Sequence, residues 1–296
     1  MFRGSAAALV TPFNNDGNVD YYSLKKLIKH QKVNKADAIV VLGTTGEAPV
    51  ITRYEREKII DFVSSGIAGS MPVIIGTGTN NTSEVIEMNK IAERYNAAGV
   101  LIVNPYYNKG TQKSLVDHYK NISEHTSLPI LLYNVPSRTG MNLLPETVYQ
   151  IHSSCKNVAG IKEASGDISQ IVKLFSIMPD DFLIFSGNDD QVLPIMALGG
   201  NGVISVFSNL LPDVMGEICK AMLDKNFEKA VDLNKKYLRL MNILFAETNP
   251  IPIKYALSCL GLCSNILRLP LSPASEKTMQ LIDDELEVLG VSYAES

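Results

Sequence analysis

The chain has no tryptophan, only four histidines and four cysteines in 296 residues, and no excess of either charge. Each shortage excludes something. Cys155, Cys219, Cys259 and Cys263 form no CxxC pair and no dense framework, so reduced thiols are expected instead of a disulfide scaffold. Lysine and arginine total 27 against 31 aspartates and glutamates, a net charge of −4 with the signs interspersed. That leaves neither the basic stripe that nucleic acid requires nor a polybasic face for an anionic membrane. No apolar run approaches the ~20 residues needed to span a bilayer. The N-terminal MFRGSAAALVTPF lacks an apolar stretch followed by a small-residue cleavage site, so a cytoplasmic location is expected. His30, His118, His125 and His152 fall in or beside predicted helices without an HExxH spacing, and no metal site is expected. A metal-dependent mechanism has little to work with.

What is present is a repeating pattern. Apolar residues make up 46% of the chain, enough for a sizeable core. Eight short β-branched-rich runs recur: Ser5–Val10, Ala38–Leu42, Pro72–Ile75, Gly99–Val103, Pro129–Tyr133, Val158–Lys162, Phe182–Phe185 and Gly202–Val206. Between them lie amphipathic segments with helix-start signals. Thr52 with Glu55, and Asn81 with Glu84, have capping-box spacing, while Pro145 and Pro212 suit first-turn positions. Strand–helix alternation implies parallel strands with helical crossovers, and continuous apolarity within the strands implies that both sheet faces are covered. Eight repeats predict an α/β fold, a closed (β/α)8 TIM barrel; an open doubly wound sheet is the alternative, weakened by the absence of GxGxxG and GxxxxGK[ST]. Beyond about residue 211 only helical periodicity remains. The expected organisation is a catalytic barrel over residues 1–224 and a C-terminal helical extension over 225–296 packed on it.

In such barrels the chemistry sits at the strand C-termini. Here those ends carry Thr11, GTTGE (Gly43–Glu47), GTGTN (Gly76–Asn80), NPYY (Asn104–Tyr107), YNVPSRTG (Tyr133–Gly140), Lys162, SGND (Ser186–Asp189) and Ser205. Period-2 alternation puts Val158, Gly160, Lys162 and Ala164 on one strand face. Small neighbours leave room for a long side chain and a small substrate, and an ammonium drawn out of water tends towards the neutral, nucleophilic amine. The plain alternative is a lysine that snorkels outward or pairs with a carboxylate. Tyr133 ends the neighbouring strand, about 4.8 Å away, where a phenol beside the amine can move protons; it can equally be a rim tyrosine bonded to backbone. Thr44 and Thr45 offer hydroxyls for a carboxylate or a proton relay, or serve as ordinary turn residues. Arg138 suits bidentate carboxylate capture, or is a solvated loop arginine.

GTTGE, NPYY, YNVPSRTG, GIKEASGD and GNGVISV, in this order and spacing, make the chain resemble the dihydrodipicolinate synthase family of the pyruvate-dependent aldolase and lyase superfamily. The resemblance spans nearly the whole chain, helical extension included. It implies that Lys162 forms a Schiff base with pyruvate and that Tyr133 donates and accepts protons. It implies that Thr45 binds the pyruvate carboxylate, that Thr44 joins the proton relay, and that Tyr107 completes the relay from a neighbouring subunit. Arg138 would anchor the carboxylate of L-aspartate 4-semialdehyde, while Gly187 and Ile204 lend backbone carbonyls. No metal or organic cofactor is implied. A homotetramer built as a dimer of dimers is implied, with a dimer as the fallback.

N-acetylneuraminate lyases share the lysine and tyrosine but resemble GSTGE and lack the arginine of PSRTG, so Thr44 and Arg138 favour the synthase reading. Another 2-oxo-acid aldolase, or a barrel that has lost catalysis and acts as a sensor, are the alternatives; the latter would show a broken lysine–tyrosine pair. Lysine-inhibited members bind L-lysine at a dimer interface, and Asn80, Glu84 and Tyr106 match that site. Arg53 and Arg56 depart from it. Two guanidiniums beside a site for a cationic amino acid lead to the expectation of weak or absent feedback inhibition.

Overall fold

The computed structural model describes residues 1–67 and 69–291. Eight strands, β1 (Gly4–Ala8), β2 (Ala38–Val41), β3 (Val73–Gly76), β4 (Gly99–Val103), β5 (Ile130–Asn134), β6 (Val158–Glu163), β7 (Leu183–Ser186) and β8 (Gly202–Ser205), pair in parallel and in order, and β8 closes on β1. Every predicted run forms a strand, with ends shifted by a residue or two. Helices α1 (Tyr21–Val33), α2 (Arg53–Ile67), α3 (Thr82–Arg94), α4 (Gln112–Ser123), α5 (Pro136–Thr139), α6 (Pro145–Ser154), α7 (Ile168–Ile177), α8 (Val192–Ala197) and α9 (Pro212–Leu223) follow the strands. Then come α10 (Phe227–Ile243), α11 (Ile251–Cys259) and α12 (Glu276–Leu289). The last five residues of the expected 225–296 extension lie outside the described residues. Among the described residues, no helix is long and apolar enough to cross a membrane.

Two apolar layers hold this arrangement. Inside the barrel, Ala6, Ala8, Ala38, Val40, Ile74, Leu101, Leu131, Phe185 and Ile204 form one cluster, with Phe2 stacked on Phe185 at 4.5 Å. The alanines of β1 and β2 keep that interior open. A second, larger cluster lies between strands and helices, and Leu240, Met241, Leu257, Ile282 and Leu286 of the C-terminal helices belong to it. Each such aliphatic side chain taken from water contributes about 1.5–3 kcal/mol, so the extension shares the barrel's own core.

Three local expectations are corrected. The β5–β6 ladder shifts register, with Ile130 opposite Val158 and Leu131 opposite Gly160. The extra residue, Ala159, reverses the parity, so Val158 joins the outer cluster while Ala164 joins the inner one. Thr52 and Glu55 form a reciprocal capping box, with Thr52 N–H donating to the Glu55 carboxylate at 2.9 Å. Asn81 caps α3 through the Ser83 N–H, but Glu84 turns instead towards Arg56 of α2, with 3.7 Å between the charged atoms. The PSRTG segment is not a loop. Pro136 presets the first turn of α5, and Gly140, at φ 65°, ends it in the left-handed region where glycine carries no Cβ strain.

Candidate active site

Lys162 and Tyr133 are register partners on β6 and β5. The Lys162 side chain rises into the barrel mouth, its Nζ 4.5 Å from the centre of the Tyr133 ring. Only 5% of the lysine is exposed. Its stem is pressed by Gly187, just past β7, where an added Cβ would come within 3.2 Å of Lys162 Cε and 2.5 Å of Ala164 Cβ. Glycine is required there by close approach. The Gly187 N–H donates to Glu163 O at 2.7 Å, which locks the β6 and β7 ends together. Ile204, on β8, completes the inner wall.

Thr44, Tyr106, Tyr133, Arg138 and Arg56 line a single cavity of about 210 Å³ above these strand ends. Thr45 is turned inward and buried, and its hydroxyl accepts a hydrogen bond from Asn249 Nδ2 at 2.9 Å. The Asn249 carbonyl in turn accepts from Arg138 Nη2 at 3.0 Å. Two residues past Thr45, Glu47 holds a left-handed φ of 54° and forms a fully buried ion pair with Lys254 of α11. Glu47 also accepts from the Arg268 N–H at 3.1 Å, while Lys254 donates to Ile266 O at 2.8 Å and lies 4.1 Å from the Phe13 ring centre. Burial pulls the Lys254 ammonium below its ordinary value, and the Glu47 charge opposes that shift.

Sequence reasoning missed this clamp from the extension. It also missed a polar network beneath the site. The Glu163 carboxylate accepts from the Ser165 N–H at 2.6 Å and from Asn134 Nδ2 at 3.1 Å. Asn104 donates to Asn134, and Tyr119 to Asn104. Burial raises the Glu163 carboxyl, and the hydrogen bonds from Ser165 and Asn134 draw it back. Alternation with Lys162 along β6 places Glu163 on the other strand face, so this network braces the strand ends rather than lining the cavity. The motifs YNVPS and NPYY contain its asparagines, which is the one sequence signal it had.

The remaining predicted residues divide. Tyr106 lines the cavity, and burial raises its phenol while Arg56 draws it down. Tyr107 does not enter the site of its own chain: it is 92% exposed at a φ of 69°. Arg56 is buried, donating to Ile51 O at 3.1 Å and Ala48 O at 2.8 Å, beside Glu84. Arg53 is exposed and reaches Glu87 at 3.7 Å. Asn80 is half-buried, its carbonyl accepting from Asn108 Nδ2.

The description "Dihydrodipicolinate synthetase family" matches residues 1–289. The 4-hydroxy-tetrahydrodipicolinate synthase of Thermotoga petrophila is 49% identical over 294 residues, covering 98% of this chain and 100% of that one. The crystal structure of dihydrodipicolinate synthase from Thermotoga maritima superposes with a TM-score of 0.96 at 48% identity, covering 98% of this chain and 99% of that one. The chloride-inhibited dihydrodipicolinate synthase of Acinetobacter baumannii, solved in complex with pyruvate, gives a TM-score of 0.96 at 40% identity, covering 98% and 100%. Matched by that family over residues 1–289, and by relatives at 48–49% identity across 98% of its length, the chain belongs to the dihydrodipicolinate synthetase family.

Proposed function

We propose that the chain is a Schiff-base-forming lyase that condenses pyruvate with L-aspartate 4-semialdehyde to 4-hydroxy-tetrahydrodipicolinate, the committing step of lysine and diaminopimelate biosynthesis. The observation that carries this reading is Lys162, buried at the mouth of a family-matched barrel with its amine over Tyr133. The neutral amine adds to C2 of pyruvate and water leaves. The cationic imine is an electron sink, so a methyl proton becomes acidic and an enamine forms. That enamine attacks the aldehyde, and transimination with ring closure frees the lysine. The amine itself carries the carbonyl chemistry, and these steps call on no metal or organic cofactor.

In this reading Tyr133 moves the protons, Thr44 relays them, and Thr45 holds the pyruvate carboxylate. Arg138 receives the carboxylate of the second substrate, and the carbonyls of Gly187 and Ile204 face the adduct. Tyr107 acts in a neighbouring subunit's site, which fits an aromatic side chain presented to solvent on a strained backbone. That arrangement needs a dimer at least; the family resemblance extends it to a homotetramer built as a dimer of dimers, and the exposed Ile168 and Val172, one turn apart on α7, offer apolar surface for the second interface. The reading is of a cytoplasmic enzyme whose barrel ends near residue 224 and whose extension, 225–296, supplies Asn249 and Lys254 to the mouth. Borohydride reduction in the presence of pyruvate should trap the adduct on Lys162, located by peptide mass mapping, and Lys162→Ala should trap none while melting cooperatively. A label on a different lysine would overturn the assignment.

A further inference from the structure

Most buried charges in this fold are matched. Glu47 pairs with Lys254, Glu285 with Arg239, and the Glu163 charge is spread over hydrogen bonds from Asn134 and Ser165. Lys162 and Asp189 are left over. Each is buried at the barrel mouth, and among the described residues neither makes a contact ion pair.

Asp189 lies just past β7 and is 2% exposed. Its Oδ2 accepts from the N–H groups of Val206, at 3.1 Å, and Phe207, at 2.8 Å, the first residues beyond β8. The β7–β8 ladder consists of Phe185 opposite Gly202 and Ser186 opposite Val203. The carboxylate therefore bridges the two strands where their backbone pairing ends. A role as cap for the turn after β8 would account for Oδ2. It does not account for Oδ1, which is buried and makes no well-aligned hydrogen bond, with the Ser205 hydroxyl near the carboxylate as its neutral neighbour; an ionised oxygen so weakly satisfied is costly unless a charge compensates it. Gly187, two residues before Asp189, is packed on the Lys162 stem, so the Asp189 turn is held against the lysine.

We propose that Asp189 is a positioning residue for the Schiff-base chemistry: fixed by the Val206 and Phe207 N–H groups just beyond β8, its carboxylate is the buried counter-charge to Lys162, first for the ammonium and then for the imine cation. This rests on the reading of Lys162 as the imine-forming amine. Burial raises the Asp189 carboxyl, and the Ser205 hydroxyl, the Phe207 N–H and the Lys162 charge, in that order, draw it back. Tyr133 from β5 is in contact with the lysine, Glu163 beside it on β6 is bonded to Ser165 and Asn134, and Cys219 of α9 feels the Asp189 charge. Of these three only Glu163 is a carboxylate, and its hydrogen bonds hold it on the other face of the strand.

Asp189→Asn keeps the shape and removes the charge. Without the carboxylate the ammonium is less favoured, so trapping by borohydride with pyruvate should begin at lower pH, by about one unit. The imine cation loses its partner as well, so trapped adduct at saturating pyruvate should fall about tenfold. A stability cycle reads the coupling without catalysis. Asp189→Asn should lower Tm markedly in the wild-type background and much less with Lys162→Met, which removes the orphaned ammonium. Should Asp189→Asn alone fail to fold, Lys162→Met should restore folded protein. An unchanged trapping profile, equal Tm losses in both backgrounds, or no rescue would reduce Asp189 to a turn cap and overturn the proposal. Trapping on another lysine would instead overturn the Lys162 reading, and the Tm cycle would still report whether the two buried charges are coupled.

Discussion

His118 carries no part of the proposed chemistry, yet burial gives it a measurable consequence. Its Nδ1 meets the Thr82 hydroxyl at 2.9 Å, Nε2 has no partner, and burial pulls its pKa from 6.5 down to about 4. The unfolded chain therefore takes up a proton that the folded one refuses. The stability tied to the neutral ring is complete above about pH 6.5 and is lost as pH falls towards 4. A shift of that size corresponds to about 3 kcal/mol. His118→Gln should flatten the dependence of the thermal midpoint on pH between 6.5 and 4; a variant that keeps the wild-type slope would place the acid response in other groups. The same reasoning separates the two lysines of interest. Lys254 is buried against a carboxylate that stays with it, and its task is to hold a loop. Lys162 is buried against a phenol ring that itself lines the cavity, with no carboxylate in contact, which suits the reacting role proposed for it.

At the scale of elements, the barrel alone does not finish the site. The loop after β2 is clamped from outside by residues 249–268: Asn249 on Thr45, Lys254 and Arg268 on Glu47, and Arg268 again on Glu55 of α2. The Arg268 guanidinium lowers the Glu55 carboxyl to about 2. Truncating one partner of a buried pair strands the other charge, so Lys254→Met should cost about 3–5 kcal/mol in unfolding experiments. Adding Glu47→Gln should recover most of that stability but leave the KM for pyruvate raised, because the Thr45 loop has lost its clamp. Full recovery of KM in the double variant would show that the pair acts on stability alone. This clamp also marks the limit of what the amino-acid sequence discloses. The eight strands and the Thr52–Glu55 box are legible because their signals are local, runs of β-branched residues and a three-residue spacing. Lys162 beside Tyr133 is legible because consecutive strands of a barrel are neighbours. The contact of Asn249 with Thr45 spans 204 residues, and IPIKYALSC reads as an ordinary apolar helix. Ala159 is invisible for a different reason: nothing in VAGIKE announces the extra residue that sends Val158 outward. Glu84 misleads because its better partner, Arg56, lies on another helix.

At the scale of the whole molecule, the charges around NPYY support the expectation of weak or absent inhibition by L-lysine. Tyr107 projects into solvent from each chain, and Tyr106 beside it shares a cavity with Arg56, Ala48 and Pro49. If L-lysine bound here across a dimer interface, its ammonium would need a free carboxylate. Glu84 is the candidate, and it already faces the Arg56 guanidinium. That arginine cannot readily swing aside, since the Ile51 and Ala48 carbonyls hold it and its side chain is buried. Arg53, at the start of the same helix, is drawn to Glu87 and is screened by solvent. A cationic effector would therefore have to compete with the buried Arg56 for Glu84 while tolerating the exposed Arg53 nearby, the latter a penalty on the order of 1 kcal/mol at most and less at high salt. An arginine can also grip an effector's carboxylate, but Arg56 spends two of its donors on backbone carbonyls and has little left for a bidentate grip. The rate should hold nearly constant as L-lysine is raised into the millimolar range at fixed ionic strength. Arg56→Ser, which frees Glu84, should introduce a saturable loss of rate. Saturable inhibition of the wild-type enzyme at sub-millimolar L-lysine would show that the arginines welcome the effector instead of repelling it.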